Sequence, residues 1–293
     1  MKRVLITGAG SYVGTHVMQR LQEEPDKFEV QEISVRREEW KSFDFTQFDV
    51  VYHVAGIAHI ATDATVEPLH FQINRDLTKD VAMHAKQAGI KQFIFMGSMS
   101  VYGDSFPTGK GVPIRFDTPT YPTSAYGQSK LEAEEILQNL EDKNFKVAIV
   151  RAPMVFGAHA KGNFTKLVKV MQKLPVFPDV KNKRSMLYIG NLAELIAQLI
   201  VHESKGIYLP QEETYICTSE LVASLAGLYG KKIHLTRMFN PILSGPLKSK
   251  EIVLKAFGDM FYELESSSCE LNYRRYSVEE ALEEIAQISK WES

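Results

Sequence analysis

Short apolar runs alternate with longer stretches of helical period through the first half of the chain. Val4-Leu5-Ile6 is a β-branched and apolar run that stops at Gly8, the pattern of a buried parallel strand. A helical pattern follows over 12–22, and Pro25 ends it. Runs at 28–35 and 49–55 predict the second and third strands. A helix is predicted over 73–87, with Gly89 as its C-terminal stop. Residues 93–96 predict a strand, 125–140 a long helix, and 147–150 a further strand. Strands alternating with helices of this length imply βαβ units and a parallel sheet, which right-handed crossovers wind doubly.

Beyond about residue 155 the pattern loosens, and Pro175, Pro178, Pro210, Pro241 and Pro246 punctuate it. The expected organisation is a sheet domain of residues 1–155 plus 188–206, with a smaller lobe of 156–187 plus 207–293. Ser277-Val278-Glu279-Glu280 has the capping-box spacing that opens a final amphipathic helix.

Composition narrows the function classes. The chain has 293 residues, 44% of them hydrophobic, and a formal net charge of −2, so no global positive field recruits nucleic acid. Cys217 and Cys269 fit no metal-ligand spacing and are expected as reduced thiols in a cytoplasmic protein. No apolar run approaches the ~20 residues of a membrane span, and the N-terminus lacks the apolar stretch of a signal peptide. The expectation is therefore no nucleic-acid, metal or membrane partner. His53 is expected to pack at a strand end, and His59 to sit in a loop or line the cleft. Phe43, Phe45 and Phe48 are expected in the core.

The chemistry begins at Gly8-Ala9-Gly10-Ser11-Tyr12-Val13-Gly14, between the first strand and the first helix. Glycines there allow a tight turn and close approach of a pyrophosphate, and the helix N-terminus offers free N–H groups. This predicts a dinucleotide site. A carboxylate ending the second strand would favour NAD. The run Ser34-Val35-Arg36-Arg37 puts a serine and arginines there instead, which leans toward NADP or leaves two solvated arginines.

Tyr126 and Lys130 stand four apart on one helix face. A free phenol has a pKa of about 10. A nearby ammonium and an oxidised nicotinamide would both favour phenolate, making Tyr126 an acid/base for a hydroxyl–ketone interconversion. Lys130 could also bond the cofactor ribose. Ser98 follows a strand, at the sheet edge where doubly wound folds bind ligands, and its hydroxyl could bond the reacting oxygen.

These residues, with Asp44-Phe45, His53-Val54-Ala55-Gly56, Asn74, Gly97–Gly103, Arg151–Gly157 and Arg184–Ile189, resemble the extended short-chain dehydrogenase/reductase superfamily. Within it the chain is similar to the NAD-dependent epimerase/dehydratase family of UDP-galactose 4-epimerases and nucleotide-sugar 4-keto reductases. The resemblance spans roughly residues 1–200 and persists weakly to about 285. It implies an α/β doubly wound parallel sheet (a Rossmann fold) with a smaller C-terminal substrate-binding lobe. It implies NAD or NADP as cofactor, a nucleotide-diphosphate sugar as substrate, and a homodimer.

Residue by residue, the resemblance places Gly8, Ser11, Tyr12, Val13 and Gly14 at the pyrophosphate, with Ser34 and Arg36 at the adenosine ribose. It places Asp44 and Phe45 at the adenine, and Ala55, Gly56, Asn74 and Pro153 toward the nicotinamide half. Ser98, Ser100, Tyr126, Asn163, Phe164 and Arg184 would contact the nucleotide sugar, and the stretch from Phe257 to Ser268 resembles a worn C-terminal nucleotide contact. The chain departs from the family pattern at Ser11 (usually glycine), Ser34 (aspartate), Ala58 (lysine) and Met154 (asparagine).

The leading expectation is a UDP-sugar 4-epimerase; the alternative is an NADPH-dependent 4-keto reductase. Dehydratases carry an acidic pair after the catalytic serine or threonine, and here Met99-Ser100 stands in that place. A non-catalytic NADP sensor would usually lack the tyrosine or lysine that this chain keeps.

Overall fold

The computed structural model describes residues 1–58, 67–160, 162–267 and 271–291, without the side chains of 163, 166 and 289–291. His59, Ser268, Cys269 and the Asn163 side chain lie outside the described set.

The predicted alternation is present. In chain order come β1 (Lys2–Thr7), α1 (Tyr12–Gln22), β2 (Phe28–Ile33) and β3 (Val50–His53). Next are α2 (Glu67–His70), a π turn (Phe71–Asp76), α3 (Leu77–Gln87) and β4 (Gln92–Ser98). α4 (Ala125–Leu140) and β5 (Lys146–Ala152) come after them. The sheet closes with β9 (Gly206–Tyr208), in the order β2-β1-β3-β4-β5-β9. Its recorded pairings are all parallel. The order reverses between β1 and β3, so the crevice for a ligand opens at the carboxyl ends of those strands, just past Thr7 and His53.

Each strand feeds both faces of the sheet, as a period of two requires. Val4, Ile6, Val50 and Tyr52 join one core with Val17 and Leu21 of α1. Leu5, Val51, Phe93 and Phe95 join the other with Val81 of α3 and Leu137 of α4. Phe45 and Phe48 are buried in this second core, with Phe43 packed against it.

Two further parallel pairs build the lobe. β6 (Met154–Phe156) pairs with β8 (Met186–Tyr188), and β7 (Val176–Pro178) with β10 (His234–Thr236). The helices here are α5 (Asn163–Lys173), α6 (Ile189–Val201), α7 (Thr218–Leu228), α8 (Asn240–Ser244), α9 (Glu251–Phe257), α10 (Leu264–Ser267) and α11 (Val278–Trp291). α6 returns to the sheet as expected and lies against α1. The lobe has no core of its own among the described residues: Phe164, Phe177, Leu221 and Phe257 are buried in the same cluster as Val4 and Ile6.

Two local features depart from the pattern. The helix expected over 73–87 starts earlier, at Glu67, and passes through a π turn at Phe71–Asp76 that carries the buried Asn74. β9 extends the sheet past residue 206, where Gly206 (φ +96°) turns the chain onto the β5 edge. The capping box is formed: Ser277 N–H donates to Glu280 (2.8 Å), and Glu280 N–H to Ser277 Oγ (3.2 Å). No described helix is long and apolar enough to cross a membrane.

Candidate active site

The glycine turn lies at the crevice. Gly8 takes φ +130° and Gly10 φ +68°, backbone that other residues avoid. A Cβ on Gly8 would stand 2.9 Å from the Ala55 nitrogen, whereas one on Gly10 would meet nothing within 4 Å. The turn is therefore closed toward β3 and open outward, as an approaching pyrophosphate requires. Ser11 is the N-cap of α1 and its hydroxyl accepts from Gly14 N–H (3.1 Å). The serine in the usual glycine position thus takes one end group for itself and leaves the N–H groups of Tyr12 and Val13 facing the helix entrance. Ala55 N–H donates to Thr7 O (2.9 Å), which locks the β3 end beside the turn. These features fit a dinucleotide.

A carboxylate does stand at this turn, and the sequence pattern did not single it out. Glu32 of β2 accepts from Gly10 N–H at 3.3 Å. It shares a strand face with Ser34 two residues on, which is the signal that would have found it. Ser34 and Arg36 are tied to each other by a long 3.4 Å bond from Arg36 N–H to Ser34 Oγ, and Arg36 is exposed.

On the adenine side the two residues are placed differently. Asp44 is the N-cap of a short 3-10 turn and accepts from Thr46 N–H (3.0 Å), Thr46 Oγ1 (2.6 Å) and Gln47 Nε2 (3.0 Å). The Phe45 ring points into the core, 4.6 Å from the His84 ring, so its ring is not offered to a base.

Ser98 ends β4 and caps the turn after it; its hydroxyl accepts from Ser100 N–H (3.2 Å) and donates to Ser100 Oγ (3.1 Å). Ser124 caps α4 by accepting from Gly127 N–H (3.1 Å). Gly127 sets how closely the two caps approach, since a Cβ there would fall 2.5 Å from the Ser100 carbonyl oxygen. Only glycine lets the first turn of α4 lie on the 98–102 turn, and that contact brings the Tyr126 phenol near the Ser98 hydroxyl. The fold thus brings Ser98, Ser100 and Tyr126 together.

The electrostatics differ from the expectation. Burial pushes the half-buried Tyr126 phenol up, and the Ser98 hydrogen bond pulls it part of the way back. Lys130 is not what lowers it. Its ammonium donates to Met96 O (2.8 Å) and sits 4.6 Å from the centre of the Phe95 ring. Burial pushes Lys130 down to about 8, while the Glu134 carboxylate one turn on holds it up. In the protein alone the lysine is turned to the sheet, toward Gly56, and the phenol is a proton-holding group at neutral pH.

Asn74 is fully buried and organises this corner. Its amide accepts from Ile57 N–H (2.9 Å) and donates to Ile57 O (3.0 Å) and Ser129 Oγ (3.1 Å). It thereby pins the loop after β3, with Ala55 and Gly56, to α4. The His70 ring packs edge-on to Tyr126, 6.0 Å between centres, and burial pushes its pKa down. His53 packs at the strand end between Thr7 Oγ1 (2.7 Å) and Thr78 Oγ1 (3.0 Å), and burial drives it to about 3.

Beneath the tyrosine lies a buried network that the sequence pattern missed. Glu134 takes Arg151 Nε (2.9 Å) and its second terminal nitrogen (2.8 Å), and Arg151 donates on to the Tyr102 hydroxyl (2.6 Å). Tyr262 Oη donates to the Arg151 carbonyl (2.6 Å), which ties the lobe to β5. The i, i+4 spacing of Lys130 and Glu134 was its one visible trace.

On the substrate side the side chains are engaged within the protein. Phe164 is buried against Phe156 (5.8 Å between rings) and offers no face to a ligand. Arg184 is buried and donates to the carbonyls of Leu254 (3.3 Å), Lys255 (3.0 Å) and Gly258 (3.3 Å). It closes the C-terminus of α9, where a cation is favoured, instead of presenting an open fork. Its Nε is buried without a partner, and burial pushes the guanidinium down to about 10. Pro153 is buried at the end of β5, before β6. Phe257 is buried, and Asp259 folds back on Gly109 N–H (2.6 Å), Gly111 N–H (3.1 Å) and Lys183 N–H (2.8 Å).

Residues 4–209 match the NAD dependent epimerase/dehydratase family. A UDP-glucose 4-epimerase of Vibrio cholerae is 32% identical over 248 residues, covering 77% of this chain and 75% of that protein. An N-acetyl-α-D-glucosaminyl-diphospho-ditrans,octacis-undecaprenol 4-epimerase of Escherichia coli O157:H7 is 28% identical, covering 78% and 73%. Among solved structures, a Thermus thermophilus UDP-glucose 4-epimerase in complex with NAD shares the fold at a TM-score of 0.75 and 18% identity, covering 97% of this chain and 98% of that one. With the family model spanning the crevice, the glycine turn and the Ser–Tyr–Lys set together, this chain belongs to the NAD-dependent epimerase/dehydratase family.

Proposed function

We propose that the protein is an NAD(P)-dependent nucleotide-sugar epimerase, a UDP-sugar 4-epimerase acting by reversible oxidation at C4. The observation that carries it is the placing of Tyr126 beside Ser98 at the carboxyl end of β4, where Gly127 lets the first turn of α4 lie on the turn that Ser98 caps, next to the crevice at the sheet reversal. Both curated relatives named above bear names of 4-epimerases acting on diphospho-sugars, which supports the same reaction here.

Bound NAD(P) would supply the hydride acceptor and donor. The residues do the rest. Tyr126 Oη, protonated in the protein alone, would have to be phenolate beside an oxidised nicotinamide to take the proton of the C4 hydroxyl on oxidation, and would return it on reduction. Ser98 Oγ bonds the same oxygen and holds it against the phenol. Lys130, one turn on, is placed to bond the cofactor ribose once drawn from Met96. The N–H groups of Tyr12 and Val13 hold the pyrophosphate. Residues 1–155 with 188–206 bind the dinucleotide and 156–187 with 207–293 the sugar nucleotide, the seam shifting past Tyr208 because β9 belongs to the sheet. Two copies joined through helices flanking the sheet complete the assembly.

The second reading, a 4-keto reductase using NADPH, rests on the exposed Arg36 beside Ser34. Glu32 favours the first, because its carboxylate at the glycine turn bonds ribose hydroxyls and repels a 2′-phosphate. Glu32→Gln is therefore expected to weaken NAD binding about tenfold, the scale of one hydrogen bond to a charged group, while NADP binding holds or tightens. Titration calorimetry with each dinucleotide checks this; an unchanged NAD affinity removes Glu32 from the site. The reaction itself is tested by denaturing the purified protein and identifying what comes out. Released NAD supports the epimerase. Protein free of nucleotide that turns over only with added NADPH overturns it for the reductase.

A further inference from the structure

The lobe carries a surface that the proposed reaction does not use. Met238, Ile242 and Ile252 are 73%, 51% and 78% exposed. Phe239, Leu174 and Val176 are exposed beside them. The segments at 174–180 and 234–240 are held together: β7 pairs with β10, His234 N–H donates to Pro175 O (2.9 Å), and Asn240 Nδ2 to Asp179 O (2.9 Å); Leu247 N–H, on the way into α9, donates back to Ile242 O (3.1 Å). Around the apolar side chains the charge is one-sided. Segments 169–183 and 231–255 hold ten lysines and arginines against two carboxylates, Asp179 and Glu251. Three of the ten are in ion pairs, Lys181 and Arg237 with Asp179 (Lys181 also with Glu220) and Lys255 with Glu251, and with Glu220 counted the excess is seven positive charges in a chain whose formal net charge is −2. Lys169, Lys173, Lys232, Lys248 and Lys250 are all exposed.

We propose that this face, centred on α8 and α9, docks on an anionic lipid surface. Apolar side chains projecting among lysines are what an interfacial segment needs: the chains enter the acyl boundary while the ammonium groups stay at the headgroups. A second copy of the chain is a poor occupant, since a two-fold contact lays this positive face on itself. A protein partner is also disfavoured. Protein interfaces are enriched in tyrosine, tryptophan and arginine and depleted in lysine, whereas nine of the ten cations here are lysines and neither segment contains tyrosine or tryptophan. This departs from the expectation of no membrane partner, which rested on the lack of a spanning run and of a signal-peptide stretch; a surface contact needs neither. This proposal stands independently of the reaction.

The test is co-flotation of the full-length protein with vesicles of pure phosphatidylcholine, or of phosphatidylcholine with one third phosphatidylglycerol. At 0.1 M salt the protein floats with the anionic vesicles only, and at 1 M salt, where the screening length drops from about 10 to 3 Å, it is released. Lys248→Ala with Lys250→Ala weakens retention about thirtyfold, given the worth of each cation near such a surface. Ile242→Glu with Ile252→Glu abolishes it, with the circular dichroism spectrum unchanged. No retention on either vesicle, or equal retention on both, overturns the proposal. So does self-association in the absence of lipid that the same substitutions abolish, which would assign the face to a second copy. Binding to polyaspartate beads without vesicle retention also overturns it, in favour of an acidic protein.

Discussion

Tyr126→Phe should reduce turnover by about two to four orders of magnitude, the worth of a positioned general acid–base group, and leave the fold and dinucleotide binding in place. The substitution keeps the ring, its burial and its packing against His70, and removes a single oxygen. That oxygen is the group brought beside the Ser98 hydroxyl at the crevice. No neighbour replaces it. The His70 ring is pushed toward its neutral form by burial, and the Lys130 ammonium is engaged with Met96. Steady-state kinetics with UDP-glucose and UDP-N-acetylglucosamine, alongside dinucleotide titration, separate loss of chemistry from loss of binding. Turnover within a factor of two of the parent, on a substrate the parent accepts, would remove the tyrosine from the mechanism.

Arg151→Leu should cost about 3–5 kcal/mol of unfolding free energy at neutral pH, the scale for stripping one partner from a buried ion pair. Glu134 is 1% exposed, and one of its oxygens already lacks a hydrogen-bond partner. Burial raises its pKa and Arg151 is the largest influence lowering it. Without the arginine the carboxyl rises further above its unfolded value. A carboxyl raised in the folded state destabilises above the unfolded pKa, and the penalty disappears as pH falls through it. The gap between parent and variant in urea titrations should thus narrow from pH 7 toward about 4, near the unfolded glutamate pKa. Adding Glu134→Gln should recover part of the loss at pH 7, because the stranded charge is gone. A gap independent of pH, with no recovery in the double variant, would mean that the pair acts only by filling space.

The network also bears on chemistry through position. Glu134 lies one turn beyond Lys130, and Tyr102, which Arg151 contacts, closes the 3-10 turn that Ser98 caps. The pair therefore fastens the helix carrying the tyrosine and lysine to the strand edge carrying the serine.

Much of this was legible in the residues alone. The helices at 12–22 and 125–140 have the predicted bounds, because each carries a serine cap and a periodic apolar face. The sheet was legible because apolar runs between helices leave few alternatives to a parallel doubly wound arrangement. The glycine turn and the shared helix face of Tyr126 and Lys130 were legible because turn geometry and helix spacing are local, and local geometry is written in neighbouring residues; that Tyr126 comes beside Ser98 depends on Gly127 packing against the Ser100 carbonyl. What stayed hidden depends on residues far apart in the chain. Glu32 meets Gly10 only because β1 and β2 are neighbours. Arg184 turns to the end of α9, about seventy residues away, and so does not stand open for a diphosphate. Whether a buried lysine lowers a tyrosine or bonds a carbonyl is decided by which acceptor lies within about 3 Å, and only packing settles that. The sequence by itself determined the sheet and its order of elements, and pointed to Ser98, Tyr126 and Lys130 as the candidate reacting groups. The tertiary structure alone decided which charges meet, since Coulomb and hydrogen-bond energies depend on distance in space and not on separation along the chain.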